Sequence, residues 1–351
     1  MKKVRGYLNS IIIWAITGVL VCLTGLLIFF FISYSKTLRK TEQKEHYDKY
    51  YAMISTDSKS SFWQSLYKST FEAGKEKNAY VDMISENLSK EYSETELMEI
   101  AIASGVDGII VEANESDEMT EAIHKAYEMG IPVVTLNTDN RKSERISFVG
   151  ISNYELGSEY GKLVLSMATS KPFPDESIKV VVLVDANADD LGQNILFSAM
   201  QETIESASKV IVKPIEMSMF LVDESSNFSV EESVRNMFIE NRNDLPDIVV
   251  CLNEIDTTSV YQTVVEYNDV GLVNILGYYD SEAILKGIER NVIYATISID
   301  AKQMGQYCID ALSEYLEYGN TSQYFVADVS VINSSNVSAY REEEENENKA
   351  P

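Results

Sequence analysis

Basic charge, histidine and cysteine are all scarce in this chain. Against 55 Asp and Glu stand 29 Lys and Arg, a formal charge of −26. Residues 1–40 carry six of those basic residues and no acid, so the remainder is more acidic still. A domain of that sign is repelled by phosphate backbones and anionic headgroups, which argues against nucleic acid as a partner; the blander reading of the charge is solubility. The two histidines, His46 and His124, stand alone among charged residues without metal-ligand spacing, so neither a metal site nor His-based catalysis is expected. Three cysteines supply no disulfide framework. Cys251, in the run Asp247-Ile-Val-Val-Cys-Leu252, and Cys308, on a helical pattern, read as small buried hydrophobes. A serine elbow, a Cys/His pair and a lysine-bearing phosphate loop are lacking as well, so no enzyme and no cofactor is expected. Asp57 and Asp139 would make a carboxylate pair, but among 55 acids such a coincidence is cheap.

One long apolar run is present. Ile11 to Ile32 holds only apolar or small residues and follows Lys2, Lys3 and Arg5. It is long enough to span a bilayer as a helix and exceeds the roughly 7–15 apolar residues of a cleavable signal core. The expectation is an uncleaved signal anchor, although Ser33 and Ser35 would serve as small residues before a cut. Cys22 follows Leu20-Val21 rather than the small residue a lipoprotein signal needs. Basic residues before the span favour an inside N-terminus, against Lys36, Arg39 and Lys40 behind it. The expected order is a cytoplasmic segment 1–10, a span 11–32, a stalk 33–49 and a binding region on the extracellular side of the cell membrane. The acidic segment 338–351 reads as a disordered tail.

From Tyr50 the pattern becomes regular. Strand-like runs recur at Tyr51–Ser55, Tyr80–Ile84, Gly108–Val111, Pro132–Leu136, Ser147–Ile151, Ile178–Val184, Val210–Pro214, Ile248–Leu252, Leu272–Leu276 and Ile293–Ile297. Helical patterns of crossover length separate nearly all of them, which predicts an α/β fold with parallel sheets covered on both faces. So long a pattern exceeds one ordinary core and predicts two lobes. Helix-start signals at Ser93-Glu-Thr-Glu96, Asp280-Ser-Glu282 and Asp300-Ala-Lys-Gln303 place the loops before them at strand C-terminal ends, where open α/β sheets bind ligands.

Those loops carry the candidate residues. Ser55 and Asp57 lead into Phe62 and Trp63, whose rings offer an apolar face to a sugar's C–H surface; capping the core at the helix start is the equally weighted alternative. Asn137, Thr138 and Asp139 follow the next strand, though Asx residues are ordinary turn formers. Asp185 to Asn194, Asn253 to Asp256, Tyr279 with Asp280, and Asp300 complete the set.

The order of motifs from Tyr50 to Val337 resembles the type I periplasmic binding proteins, in particular ribose-binding-like sugar receptors. The carriers are Ile54-Ser-Thr56 with Phe62-Trp63; Ala103-Ser-Gly-Val-Asp-Gly-Ile-Ile-Val111; Gly130-Ile-Pro-Val-Val-Thr-Leu-Asn137; Phe148-Val-Gly-Ile-Ser-Asn153 with Gly157 and Gly161; and Ile275-Leu-Gly-Tyr-Tyr-Asp280 before Ala295-Thr-Ile297. The resemblance implies two Rossmann-like lobes, 50–152 with 300–328 and 153–299 with 329–337. A three-segment hinge near Ser152–Asn153, Ile299–Asp300 and Asp328–Val329 would join them. By position, Ser55, Phe62, Trp63 and Asn137 match sugar-contacting residues of the first lobe, Asn253 a contacting asparagine and Phe228 a stacking aromatic.

The departures matter equally. Where the ribose-type site has an Asp-Arg pair this chain has Asn137-Thr138; Asn194 falls near the lobe-two arginine; Tyr279, with Asp280 adjacent, occupies a hinge-acid position, and Ile299 a hinge-glutamine position. Loss of charge-assisted hydrogen bonds points away from ribose. Lactose-repressor-type regulators share the domain but begin with a helix-turn-helix, where this chain has its span. The resemblance thus implies a solute-binding protein that captures a sugar or similar polar metabolite for an ABC-type permease, or a sensory accessory to a membrane histidine kinase or other receptor.

Overall fold

The structure, a computed structural model, describes residue 28 and residues 46–342 apart from 56–57, 89, 91, 187–190 and 208–212. The apolar run 11–32 apart from Ile28, most of the stalk and residues 343–351 lie outside the described residues. Among the described residues no helix is long and apolar enough to cross a membrane. The chain divides after Asp48, and both lobes belong to the unit that begins at Lys49.

Lobe 1 opens with β1 (Lys49–Ile54), α1 (Ser61–Glu76), β2 (Ala79–Met83), α2 (Glu94–Ser104), β3 (Gly108–Val111), α3 (Asp117–Glu128), β4 (Val133–Leu136) and β5 (Ser147–Gly150). Lobe 2 continues with α4 (Asn153–Ser170), β6 (Ile178–Asp185), α5 (Leu191–Ser206), β7 (Ile215–Val222), α6 (Asn227–Glu240), β8 (Ile248–Val250), α7 (Glu254–Glu266), β9 (Asn274–Tyr278), α8 (Glu282–Glu289) and β10 (Ile293–Ile299). The chain then returns to lobe 1 as α9 (Ala301–Tyr318) and β11 (Tyr324–Val326), and crosses back as β12 (Val329–Asn333). Strand order is β11-β5-β4-β3-β1-β2 in one sheet and β12-β10-β9-β8-β6-β7 in the other. Every pairing is parallel except β12 on β10.

Period-two alternation assigns each strand's residues to the two sheet faces. Tyr51 and Met53 join the core under α1 and α9 with Leu66, Met304 and Leu312; Ala52 and Ile54 join the core under α2 and α3 with Leu97, Met98 and Met119. Lobe 2 repeats the arrangement, with Val234, Phe238 and Val260 on one face and Tyr160, Val164 and Met200 on the other. Double coverage explains why β3 and β4 are buried at every position. Glycine sets the helix spacing: a Cβ on Gly157 would lie 2.2 Å from the Leu196 carbonyl oxygen, so α4 and α5 pack backbone to backbone only because that side chain is absent.

Each sheet reverses its winding direction next to its first strand, between β1 and β3 in lobe 1 and between β6 and β8 in lobe 2. The C-terminal ends of those strands flank the crevice where α/β sheets hold ligands. The three crossings between lobes lie side by side. Asp300 N donates to Asp328 O at 3.1 Å, and Ala327 N donates to Gly150 O at 2.8 Å. Gln303 makes two bonds to Asp328: its Nε2 donates to Oδ2 at 3.0 Å, and its Oε1 accepts from the backbone N at 2.6 Å.

Three expectations need correction. The edge strand of lobe 2 runs Ile215–Val222, parallel to β6 from Ile178, rather than Val210–Pro214; residues 210–212 of the expected run are outside the described residues. Both faces of that edge are partly open, with Met219 and Leu221 exposed, which blurs its alternation. Asp280 does not cap α8, whose N-cap Ser281 makes no side-chain capping bond. Nor does order end at Val337: residues 337–342 are helical, with Tyr340 bonded to Asp280 and Ser298 and Arg341 paired with Glu282 at 2.7 Å. The other expected caps are present, Ser93 with Glu96 as a reciprocal capping box and Asp300 on Gln303.

Candidate ligand-binding site

On the lobe 1 side, three polar residues follow three neighbouring strands. Ser55, fully buried after β1, donates from Oγ to Glu112 Oε2 at 3.0 Å. Asn137, after β4, donates from Nδ2 to Glu112 Oε1 at 3.2 Å. Its backbone is left-handed at φ 66°, a conformation Asn tolerates, and its N–H holds Val149 O at 2.9 Å. Glu112, at the end of β3, thus collects donors from both sides of the switch point.

The lobe 2 side is dominated by acid. Asn253 is the N-cap of α7, its Oδ1 accepting from Asp256 N at 2.7 Å. Its Nδ2 donates to Glu224 Oε1 at 2.9 Å and to Asp256 Oδ2 at 3.1 Å. Burial, with Asp185 beside it, pushes the Glu224 carboxyl up to about 7 against the pull of the Asn253 bond. Burial also pushes Asp256 up to about 8, helped by the fields of Glu224 and Asp185.

The two sides meet at an aromatic contact. Phe62 lies edge-on to Tyr279, with ring centroids 5.4 Å apart, and edge-on to Trp63 at 5.5 Å. Tyr279 is buried and left-handed at φ 70°, unusual for a bulky residue. Its hydroxyl donates to Ser61 O across the lobes at 3.3 Å. The carbonyl of Tyr279 accepts from Thr296 Oγ1 at 2.6 Å, and its N–H donates to Ile297 O at 2.8 Å.

Several expected residues sit elsewhere. Trp63, 3% exposed, belongs to the lobe 1 core beside Leu66, so of the two aromatics only Phe62 reaches across to lobe 2. Asp139 forms a nearly buried two-pronged pair with Arg145, with Nη2 to Oδ2 at 2.7 Å, and accepts from Thr135 Oγ1 at 2.7 Å. Arg145 in turn stacks over Tyr324 and donates to Gln323 O at 3.1 Å, so this pair fastens β11 to the sheet. Asp280 accepts from Ser298 and Tyr340, and burial raises its carboxyl, which commits it to the C-terminal helix. Thr138 and Asn194 are exposed. Phe228 is 72% exposed on the first turn of α6. Asp57 lies outside the described residues.

Sequence reasoning misses the acids Glu112 and Glu224 as site residues. Glu112 is the first polar residue after a wholly apolar strand, and that position is the signal that marks it. Glu224 is hidden by the misplaced edge strand, because the loop after Val222 then falls inside no strand-end set.

Two doubly wound lobes, joined by three adjacent crossings and opposing their polar strand ends, define a two-lobed binding protein. The sequence matches the periplasmic binding protein domain over residues 51–321, and the chain belongs to that family. Among solved structures, XylFII is 26% identical, with 81% of this chain and 98% of that one covered and a TM-score of 0.65. A XylFII-LytSN complex matches at 25% identity over 82% and 98%, with a TM-score of 0.64. GanP, a glucose-galactose binding protein from Geobacillus stearothermophilus, shares the fold at 16% identity over 82% and 98%, with a TM-score of 0.70. Comparison with curated protein sequences gives no match.

Proposed function

We propose that this protein captures a sugar or similar small polar metabolite between its lobes, at the outer face of a cell membrane to which residues 11–32 tether it, and presents it to an ABC-type permease. The observation that carries the reading is the opposition of two polar clusters, Ser55–Glu112–Asn137 and Asn253–Glu224–Asp256, on either side of the Phe62–Tyr279 contact. Such a clamp works by population shift: a ligand that touches both lobes favours the closed arrangement, and a partner that reads only that arrangement sees occupancy. Family membership and the match to a glucose-galactose binding protein support ligand capture. The apolar run beside basic residues supports the tether.

A second reading has its own support. The match to a XylFII-LytSN complex favours a clamp that reports occupancy to a membrane receptor such as a histidine kinase. Purification of the tagged full-length chain from its own membranes separates the two: co-purifying permease subunits sustain transport, and a kinase without them sustains sensing. Capture itself is tested by thermal shift of the full-length chain against sugars, sugar alcohols and nucleosides, since ligand at 100 times its Kd stabilises by about 2.7 kcal/mol. An unchanged melting temperature across the set would remove the sugar reading. Extraction of the chain by alkaline carbonate would remove the tether.

A further inference from the structure

The lobe 2 cluster gathers three carboxyl groups, of Glu224, Asp256 and Asp185, around the Asn253 amide. Both N–H groups of the Asn253 side chain go to carboxylates, one on Glu224 and one on Asp256. Asp185, at the end of β6, adds its field to both. Asp256 is fully buried, and its Oδ1 has no hydrogen-bond partner. A buried acceptor in that state costs about 1–3 kcal/mol, a penalty that a missing donor would remove.

Among the described residues the surroundings supply no such donor. Tyr160 spends its hydroxyl on the carbonyls of Cys251 and Gly277, each at 3.0 Å. Thr257 donates to Asn253 O at 2.7 Å, and the Cys251 thiol is buried and neutral. No Lys or Arg among the described residues forms an ion pair with Glu224 or Asp256. Nor do the described residues contain a group of acids, His or Cys able to hold a metal ion. A cationic donor that arrives with a ligand at Glu224 would balance the cluster. Glu224 is half-buried and is the more accessible of the two acids, with fully buried Asp256 joined to it through the shared Asn253 amide.

Building on the solute-capture reading, we propose that the ligand is a hydroxylated primary amine of the amino-sugar class, its ammonium held by Glu224 in the field of Asp256 and Asp185, and its hydroxyls by Ser55, Glu112 and Asn137. An ammonium has three donors and a full charge, which matches a cluster rich in acceptors and poor in cations. In the free protein near neutrality the cluster carries protons, because Glu224 titrates about 7 and Asp256 about 8. A cation at Glu224 displaces them, so binding releases protons to the buffer.

The test is calorimetric titration of the full-length chain at pH 6.5 in buffers of different ionisation heat. The probes are glucosamine, galactosamine and mannosamine, each beside its neutral parent and its N-acetyl derivative. The expected result is an amine that binds at least about tenfold tighter than its two neutral counterparts, the size of one hydrogen bond to a charged group, with protons released. In Glu224→Gln, whose amide oxygen still accepts from Asn253, that preference and the proton release should both collapse while the melting temperature holds. A neutral sugar bound as tightly as its amine overturns the amine inference and leaves solute capture standing. Binding by no probe of any kind overturns the amino-sugar inference, while solute capture falls only if the wider thermal-shift set also fails. An undiminished preference in Glu224→Gln, or equal stabilisation by magnesium or calcium chloride, overturns the assignment to Glu224 and the ammonium.

Discussion

At the scale of single residues, Asn253 does three jobs, and two of them are invisible in the sequence. Its position before an amphipathic run reads as a cap, and it is one. That the same amide separates Glu224 from Asp256 depends on β7 and β8 lying two places apart with β6 between them, which no local pattern encodes. Asn253→Ala should therefore cost about 1–2 kcal/mol of stability from the lost cap, read by urea denaturation, and should weaken ligand binding as well. Asn253→Ser separates the effects: a serine still caps α7 but is too short to bridge both acids, so stability should recover and affinity should not. Recovery of both would leave the cap as the whole role. The raised carboxyls carry a second prediction. Folded Glu224 and Asp256 titrate about 7 and about 8, above their ordinary 4.5 and 3.8, so the native state binds more protons than the unfolded state between those limits. Their stabilising contribution is complete below about pH 4 and is lost as pH rises through 7 and 8. The ligand-free melting temperature should fall from pH 5 to pH 8, and Glu224→Gln should flatten that fall. A profile identical in the two proteins would mean that Glu224 does not hold the proton.

At the scale of elements, the buried strands are legible in the sequence and the edges are not. Gly108–Val111 and Val133–Leu136 are short apolar runs because helices cover both faces, so composition alone announces them. β7 has one neighbour and open faces, and its Ile-Glu-Met-Ser-Met-Phe-Leu-Val run is neither continuous nor cleanly alternating in burial. The consequence reaches the site, since a strand placed too early conceals the loop that carries Glu224. The acidic C-terminus misleads for a related reason: its composition is that of a disordered tail, yet Tyr340 and Arg341 dock on Asp280, Ser298 and Glu282. Gly157 and Gly161 are legible only through family resemblance, and the structure supplies the cause. A Cβ at Gly161 would fall 3.0 Å from Met200 O and 2.8 Å from Thr203 Cβ, and one at Gly157 would meet backbone at 2.2 Å. Gly157→Ala should accordingly cost about 1–3 kcal/mol, the usual range for overpacking, despite alanine's better helix propensity. A neutral or stabilising Gly157→Ala in urea would show that α4 and α5 can slide apart without loss.

For the whole molecule, what matters is how the lobes are held relative to one another. Three short adjacent crossings, hydrogen-bonded to each other through Asp300, Asp328, Gln303, Ala327 and Gly150, confine relative motion to a bend. Away from those crossings, Phe62 and Tyr279 carry a contact from one lobe to the other, with the Tyr279 hydroxyl on Ser61 O. The left-handed backbone of Tyr279 costs about 1–3 kcal/mol, and Thr296 and Ile297 hold it there. A contact made only when the lobes approach biases the closed state, and ligand affinity scales with the population of that state. Tyr279→Phe removes the hydroxyl bond to Ser61 O and keeps the ring against Phe62. It should reduce apparent affinity by about 0.5–1.5 kcal/mol, the net worth of such a bond, leave the melting temperature of the free protein nearly unchanged, and enlarge the ligand-free radius of gyration in small-angle scattering. Tyr279→Ala removes the ring contact too and should shift both the scattering and the affinity further in the same direction. If both variants bind the ligand like the parent protein, the Phe62–Tyr279 contact is packing at the hinge mouth and closure is set by the ligand alone.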